Sequence, residues 1–294
     1  MNYMVSAEAG AGHSCELARA LRKYIPLKSH YFHKSAYGLD FIDPVSTFGT
    51  DKFPTKGDTL IIVTITAYYA IRKSIPNFNR VILIATDGFY MTDWKKLNPE
   101  FKNFELFATN CKMQYSEGLA RVYYQPFDLA KFHQLKHAKL TVCHSPFVGE
   151  KFKEKGSDSI MAAIRRLRVN SDFIIMRPWV EAMIRKARCQ IFVDQISSEP
   201  GFWKIPPTWK GGVGKSGLEA MNLRCLTLSR GNFVDYDIPK PPIIECDRRN
   251  FQTVLSQVIN MKPEERNRLT ELQYQWALKY TNPDFCAKRI LNLS

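Results

Sequence analysis

Two runs of β-branched and aliphatic residues constrain this chain most: Asp58 to Thr66 (DTLIIVTIT) and Arg80 to Thr86 (RVILIAT). Each has the length of one strand, and neither alternates apolar with polar residues. A strand without alternation is buried on both faces, the condition of a parallel sheet covered by helices. Shorter strand-like runs recur at Met1 to Ser6, Lys28 to His33, Ala138 to Cys143, Ser171 to Met176, Cys189 to Asp194, Cys225 to Ser229 and Pro242 to Glu245. Helical patterns lie between them. Ser14 is placed to cap a helix through Leu17, Ala18, Leu21 and Tyr24, and Ser157 to Leu167 reads as a capped amphipathic helix. Val180 to Ala187, Phe251 to Asn260, Pro263 to Lys279 and Pro283 to Leu293 are further helices. Strands alternating with helices in both halves predict an α/β protein with parallel sheets. Met91 to Tyr124 is aromatic and weakly patterned. The polar stretch after it, near residues 125–137, is the expected boundary between two domains, 1–132 and 133–294.

At 294 residues the chain has room for two domains of ordinary size. No run reaches about 18 uninterrupted apolar residues, so no membrane-spanning helix is expected. The N-terminus lacks a basic region followed by an apolar one, so a secretory signal is not expected either. The seven cysteines form no CxxC pair, which argues against a disulfide framework or a structural zinc site. They read as reduced thiols of a cytoplasmic protein (host cytoplasm for a viral one). The formal net charge is +14, and both halves contribute: residues 1–140 hold 18 basic and 12 acidic side chains, residues 141–294 hold 24 and 16. Both halves therefore offer positive surface to an anionic partner, nucleic acid or an anionic membrane.

In parallel sheets ligands lie beyond the carboxyl ends of the strands. The candidate binding loops are thus Glu8 to Ser14 (EAGAGHS), Asp87-Gly88, the turn from His144 to Gly156, and Trp209 to Met221 (WKGGVGKSGLEAM). The last packs glycines, a lysine and a serine before a run of helix formers, an arrangement suited to phosphate. Lys210 to Ser216 matches a variant P-loop, but Pro206 and Pro207 exclude the buried strand that must precede one. His13 at a helix entrance and Asp87 at a strand end are the candidates to orient an acceptor hydroxyl or act as base.

The ordered set of segments resembles the GT-B glycosyltransferases of the retaining, EAM-containing type. Gly214 to Met221 followed by a strand resembles their donor site. His144-Ser145-Pro146 with Lys155-Gly156-Ser157-Asp158 resembles their H-x-P…KGT segment, and Asp194-Gln195 their DQ segment. The resemblance covers about residues 138–293. It implies two Rossmann-like domains facing each other across a cleft, with the last helix, about 283–294, packing back on the first domain. It implies a nucleotide-sugar donor, UDP-linked, and no obligatory metal. By resemblance Lys155 binds the diphosphate with Lys151 or Lys215, and His144 lies in the donor site. Gly214, Ser216 and Gly217 hold phosphate oxygens, and Glu219 accepts hydrogen bonds from the ribose. The glycine loop with Gly10 and Gly12 would lie against donor or acceptor. The family often carries arginine where this chain has Glu150, and glutamate where it has Gly211; Lys151 and Glu199 are the available substitutes.

Basic and aromatic residues interleave at Tyr68-Tyr69…Arg72-Lys73 and Phe89-Tyr90…Trp94-Lys95-Lys96, stretches expected to be exposed. Basic groups position a phosphate backbone and aromatics stack on bases. The acceptor expected on this ground is double-stranded DNA carrying a hydroxymethylated pyrimidine, as bacteriophages modify it, with the base flipped into the site. The alternatives are a cell-envelope polysaccharide or lipid-linked glycosyltransferase, and a nucleotide- or nucleic-acid-binding protein with a degenerate site.

Overall fold

The structure, a computed structural model, describes residues 1–8, 13–33, 46–49, 53–86, 104–109, 120–129, 132, 139–146, 155–175, 177–196, 213–231 and 237–293. The chain divides into two compact units. Unit 1 comprises Met1–Asp128, Tyr236–Ile238 and Thr281–Ser294; unit 2 comprises Leu129–Asp235 and Pro239–Tyr280.

Unit 1 is built on a seven-stranded sheet in the order β3-β2-β1-β4-β5-β6-β7. Its strands are β1 (Asn2–Glu8), β2 (Leu27–His33), β3 (Ser46–Phe48), β4 (Gly57–Val63), β5 (Phe78–Ala85), β6 (Phe104–Thr109) and β7 (Arg121–Tyr123), and every pairing is parallel. The two constraining runs became the central pair β4 and β5, in register from Gly57 opposite Phe78 to Val63 opposite Ile84. Leu60 to Val63 and Ile82 to Ala85 are fully buried, as their unbroken apolar pattern requires. Helix α1 (His13–Leu21) follows β1, and α2 (Ile65–Ile71) follows β4.

Three expectations are corrected in unit 1. Ser14 is not a cap: it lies inside α1, fully buried, with its Oγ 3.3 Å from the Oγ of Ser6 on β1. Tyr68 is not exposed, because α2 turns Ala67, Tyr68 and Ile71 onto the sheet; its neighbour Tyr69 is exposed. The weakly patterned mid-chain carries two strands, β6 and β7. In β6 the polar Glu105 is held by Arg80 of β5 at 2.6 Å, and that pairing masked the strand pattern. The last helix, α8 (Pro283–Leu291), belongs to unit 1. Asn282 caps it through Oδ1, which accepts from the Asp284 amide at 2.8 Å. Lys23 pairs with Asp284 at 2.8 Å, and Arg80 Nη2 donates to the Ile290 carbonyl at 3.1 Å.

Unit 2 carries a five-stranded sheet in the order β12-β11-β10-β8-β9, also wholly parallel. The strands are β8 (Thr141–His144), β9 (Asn170–Phe173), β10 (Ile191–Val193), β11 (Leu226–Ser229) and β12 (Ile244–Glu245). Its helices are α3 (Ser157–Arg166), α4 (Trp179–Arg188), α5 (Lys215–Asn222), α6 (Phe251–Asn260) and α7 (Pro263–Tyr280). Val142, Ile164, Ile191, Val193, Leu226, Leu228, Phe251 and Leu255 form the core between sheet and helices. Strand β12 pairs only with Leu228 and Ser229, which leaves Thr227 of β11 without a strand neighbour on that side. Buried Gln273 of α7 takes that place: its Oε1 accepts from the Thr227 amide at 2.7 Å, and its Nε2 donates to the Thr227 carbonyl at 3.2 Å.

Candidate active site

In unit 2 the chain runs from β8 outward to β9 and then back across to β10, so the strand order reverses between β8 and β10. Such a switch point leaves a crevice at the carboxyl edge, because the helices after the two strands leave in opposite directions. His144 ends β8, and Asp194 follows directly on β10. Helix α3 returns from β8 and α5 opens after β10, so both helices aim their amino ends at this edge.

The residue ahead of each helix is a glycine, which has no side chain to cap it. Gly156 precedes α3 at φ 72°, a conformation that favours glycine, and Gly214 precedes α5. The first-turn amides of any helix have no helical acceptor, and with the dipole they make an anion site. Each end has a lysine: Lys155 just ahead of α3, and Lys215 as the first residue of α5.

Asp194 ties the two ends together. It is fully buried; its Oδ2 accepts from the Gly214 amide at 2.6 Å and from Ser229 Oγ at 3.4 Å. Its Oδ1 has no hydrogen-bond partner among the described residues and lies 3.8 Å from Lys155 Nζ. Lys155 also donates to the Ser145 carbonyl at 3.1 Å. Burial drives the Lys155 ammonium below its ordinary pKa and Lys186 adds to that; Asp194 and Glu219 oppose both without overcoming them. A lysine weakened in this way gains most from a second negative charge. Gly217 is needed for the fit: a Cβ there would lie 2.5 Å from Val213 Cγ1 and 3.1 Å from Asp194 Cγ.

His144 is fully buried with both ring nitrogens engaged. Nδ1 donates to the Val193 carbonyl at 2.7 Å, since a carbonyl can only accept. Nε2 therefore accepts, from Ser157 Oγ at 2.7 Å. Burial, and then the charge of Lys155, lower the pKa to about 3 against the bond to Val193 that raises it, so the ring stays neutral. His144 thereby orients the Ser157 hydroxyl at the start of α3.

Glu219 is 3% exposed on α5. Its Oε2 accepts from Lys186 Nζ at 2.5 Å and its Oε1 from Trp179 Nε1 at 3.1 Å, both from α4. Lys215 Nζ stands 3.8 Å from Oε1. Burial raises the carboxyl pKa, but the two lysines and the hydrogen bonds from Lys186 and Trp179 more than offset that, so it stays below its usual range.

The structure thus gathers His144, Lys155, Gly214, Lys215, Gly217 and Glu219 in unit 2; Ser216, the second residue of α5, is half-buried beside them. His13 is the first residue of α1 in unit 1. Gly10, Gly12, Asp87 and Lys151 lie outside the described residues. Sequence reasoning missed Lys186, Trp179 and Ser229, and named Ser157 only as part of the KGT-like segment. Lys186 did carry a signal: it falls on the face that α4 otherwise buries with Trp179, Met183 and Ala187. Among the described residues no group of three or more His, Cys, Asp or Glu could hold a metal ion, and no helix is long and apolar enough to cross a membrane.

Two wholly parallel sheets, one of them with a charged, helix-flanked switch point, define a class: the fold is α/β of the GT-B type. HepE from Anabaena, solved with UDP and glucose, is similar with a TM-score of 0.64 and 13% identity, over 99% of this chain and 98% of that one. Sucrose-phosphate synthase from Thermosynechococcus elongatus gives a TM-score of 0.68 at 9% identity, with the same coverage. WaaG, a glycosyltransferase of lipopolysaccharide biosynthesis, gives 0.56 at 12% over 99% of both chains. No protein-family model and no curated protein matches the sequence.

Proposed function

We propose that this protein is a glycosyltransferase that binds a UDP-sugar at the carboxyl edge of the unit 2 sheet. The observation that carries the reading is the switch point itself, where Asp194 contacts both Lys155 ahead of α3 and the Gly214 amide ahead of α5, with Lys215 opening α5. A leaving diphosphate needs its developing charge neutralised, and this edge supplies amides and ammonium groups fixed in advance. The UDP and glucose bound to HepE support the same donor class. In this reading Lys155 holds the diphosphate, supplemented by Lys215 or Lys151. Gly214, Ser216 and Gly217 bring the α5 backbone and a hydroxyl to its oxygens. His144 orients Ser157, and Glu219 takes the ribose hydroxyls. His13 and Asp87 are the acceptor-side candidates, with Gly10 and Gly12 in the loop before His13.

The acceptor proposed is a hydroxyl on an anionic molecule, in its finer form a hydroxymethylated pyrimidine in duplex DNA of a bacteriophage. The formal charge of +14, spread over both halves of the chain, supports it. WaaG supports a competing acceptor, a saccharide or lipid-linked hydroxyl. Incubation with labelled UDP-sugars and hydroxymethylated duplex DNA decides between them. Label in the DNA, lost steeply with added salt, is the expected result. Label only in saccharide or lipid-linked acceptors would overturn the DNA reading and leave the donor reading standing.

A further inference from the structure

Helix α4 buries Trp179, Met183, Lys186 and Ala187, and among these Lys186 alone carries a charge. A lysine taken fully out of water is costly unless it is paired, so its partner identifies its work. That partner is Glu219, at 2.5 Å, with the ring of Phe192 on β10 at 5.2 Å from the ammonium. Trp179 lies seven residues before Lys186, two helical turns, and so on the same face of α4. Its Nε1 holds the other oxygen of the same carboxylate. One helix thereby grips both oxygens of one side chain on another.

We propose that Lys186 is a positioning residue for the nucleotide pocket, holding Glu219 as an anion in a single orientation. The inference rests on the nucleotide-sugar reading above. A carboxylate has about four lone-pair sites, and the two bonds from α4 use two of them. All of the others stay acceptors for ribose hydroxyls only while the group is ionised, since protonation turns one of them into a donor. The charged groups around Glu219 are Lys186 from α4, Lys215 on its own helix, and Lys155 and Asp194 at the strand edge. Lys215 is 3.8 Å away and Lys155 is drawn to Asp194, so among the described residues Lys186 is the cation in direct contact. Without it, burial favours the protonated carboxyl, which donates where it should accept.

The test is calorimetric titration of UDP into the intact protein and into Lys186→Met at several pH values. The variant-to-wild-type Kd ratio at each pH cancels the ionisation of UDP itself. The ratio is expected to grow by about tenfold or more between about pH 8 and about pH 5, since each unit below a raised pKa costs up to tenfold. In Lys186→Met/Glu219→Gln, which has no carboxyl to protonate, the ratio stays flat. A pair with a structural role alone lowers the melting temperature but leaves the ratio constant with pH, and that result overturns the inference. If Lys186→Met does not fold, Trp179→Phe decides: it keeps the ion pair, and the same drift in smaller measure is expected, whereas a flat ratio is contrary. Wild-type protein that does not bind UDP at all removes the nucleotide-sugar reading, and the inference with it.

Discussion

Where the strand order reverses in unit 1, between β1 and β4, the described side chains are Ser6, Ser14 and Thr64. Where it reverses in unit 2, between β8 and β10, they are His144, Lys155, Ser157 and Asp194. Among these described side chains the first edge offers hydroxyls, the second a histidine and opposite charges out of water. Unit 1 carries a different cost there. Thr64 sits at φ 85° and ψ 147°, a region rare for any residue with a Cβ, while its Oγ1 accepts from the Ala67 amide at 3.3 Å. Both edges use the same topology. Topology alone therefore makes a crevice, and the buried polar groups decide what it holds.

The comparison can be broken at either edge. The largest effect belongs to Asp194→Ala. It strands Lys155 in a buried position and releases Gly214 and Ser229, so unfolding by urea should show a loss of about 3–5 kcal/mol. A loss below about 1 kcal/mol would mean that the edge is wetter and looser than the geometry says. Gly217→Ala comes next. In an open helix this change gains about 1 kcal/mol. Here the new Cβ meets Val213 and Asp194, and a cost of about 1–3 kcal/mol is expected by thermal melting.

His144 gives unit 2 a pH signature. Its folded pKa of about 3 lies below the ordinary value of 6.5, so the unfolded chain binds the extra proton between these values. Stability from this group is complete above the unfolded pKa and is lost as pH falls toward the folded one, at about 1.4 kcal/mol per unit. His144→Gln should flatten that slope in urea unfolding below about pH 6; an unchanged slope would place the proton uptake elsewhere. The smallest effect has the opposite sign. Thr64→Gly relieves the backbone at the cost of a cap and some chain entropy, and should stabilise by up to about 1 kcal/mol.

Much of this fold was legible because burial on both faces leaves an unmistakable pattern. DTLIIVTIT and RVILIAT became β4 and β5, and CQIFVD became β10 and the aspartate after it. What escaped did so for physical reasons. The three residues of β7 are too few to show a period, and β6 hides Glu105 in an ion pair. Ser14 is the residue type of a cap, and only the packing of α1 on β1 shows that it faces Ser6. In the site, lysines and glycines ahead of helices were readable as an anion cradle. The Lys186–Glu219 contact joins residues 33 apart on two helices, and no local pattern encodes that distance. His144 was readable as a strand-end histidine, but its two internal bonds, to the Val193 carbonyl and the Ser157 hydroxyl, required the fold.

The claim at the centre is that the unit 2 edge is a nucleoside-diphosphate site and the unit 1 edge is not. Calorimetric titration of UDP into wild type, Lys215→Ala and Thr64→Gly tests it most directly. One saturable site is expected, weakened about tenfold or more in Lys215→Ala through loss of about 1.5–3 kcal/mol of charge-assisted bonding, and unchanged in Thr64→Gly. No saturable binding, or equal affinity in wild type and Lys215→Ala, would contradict it.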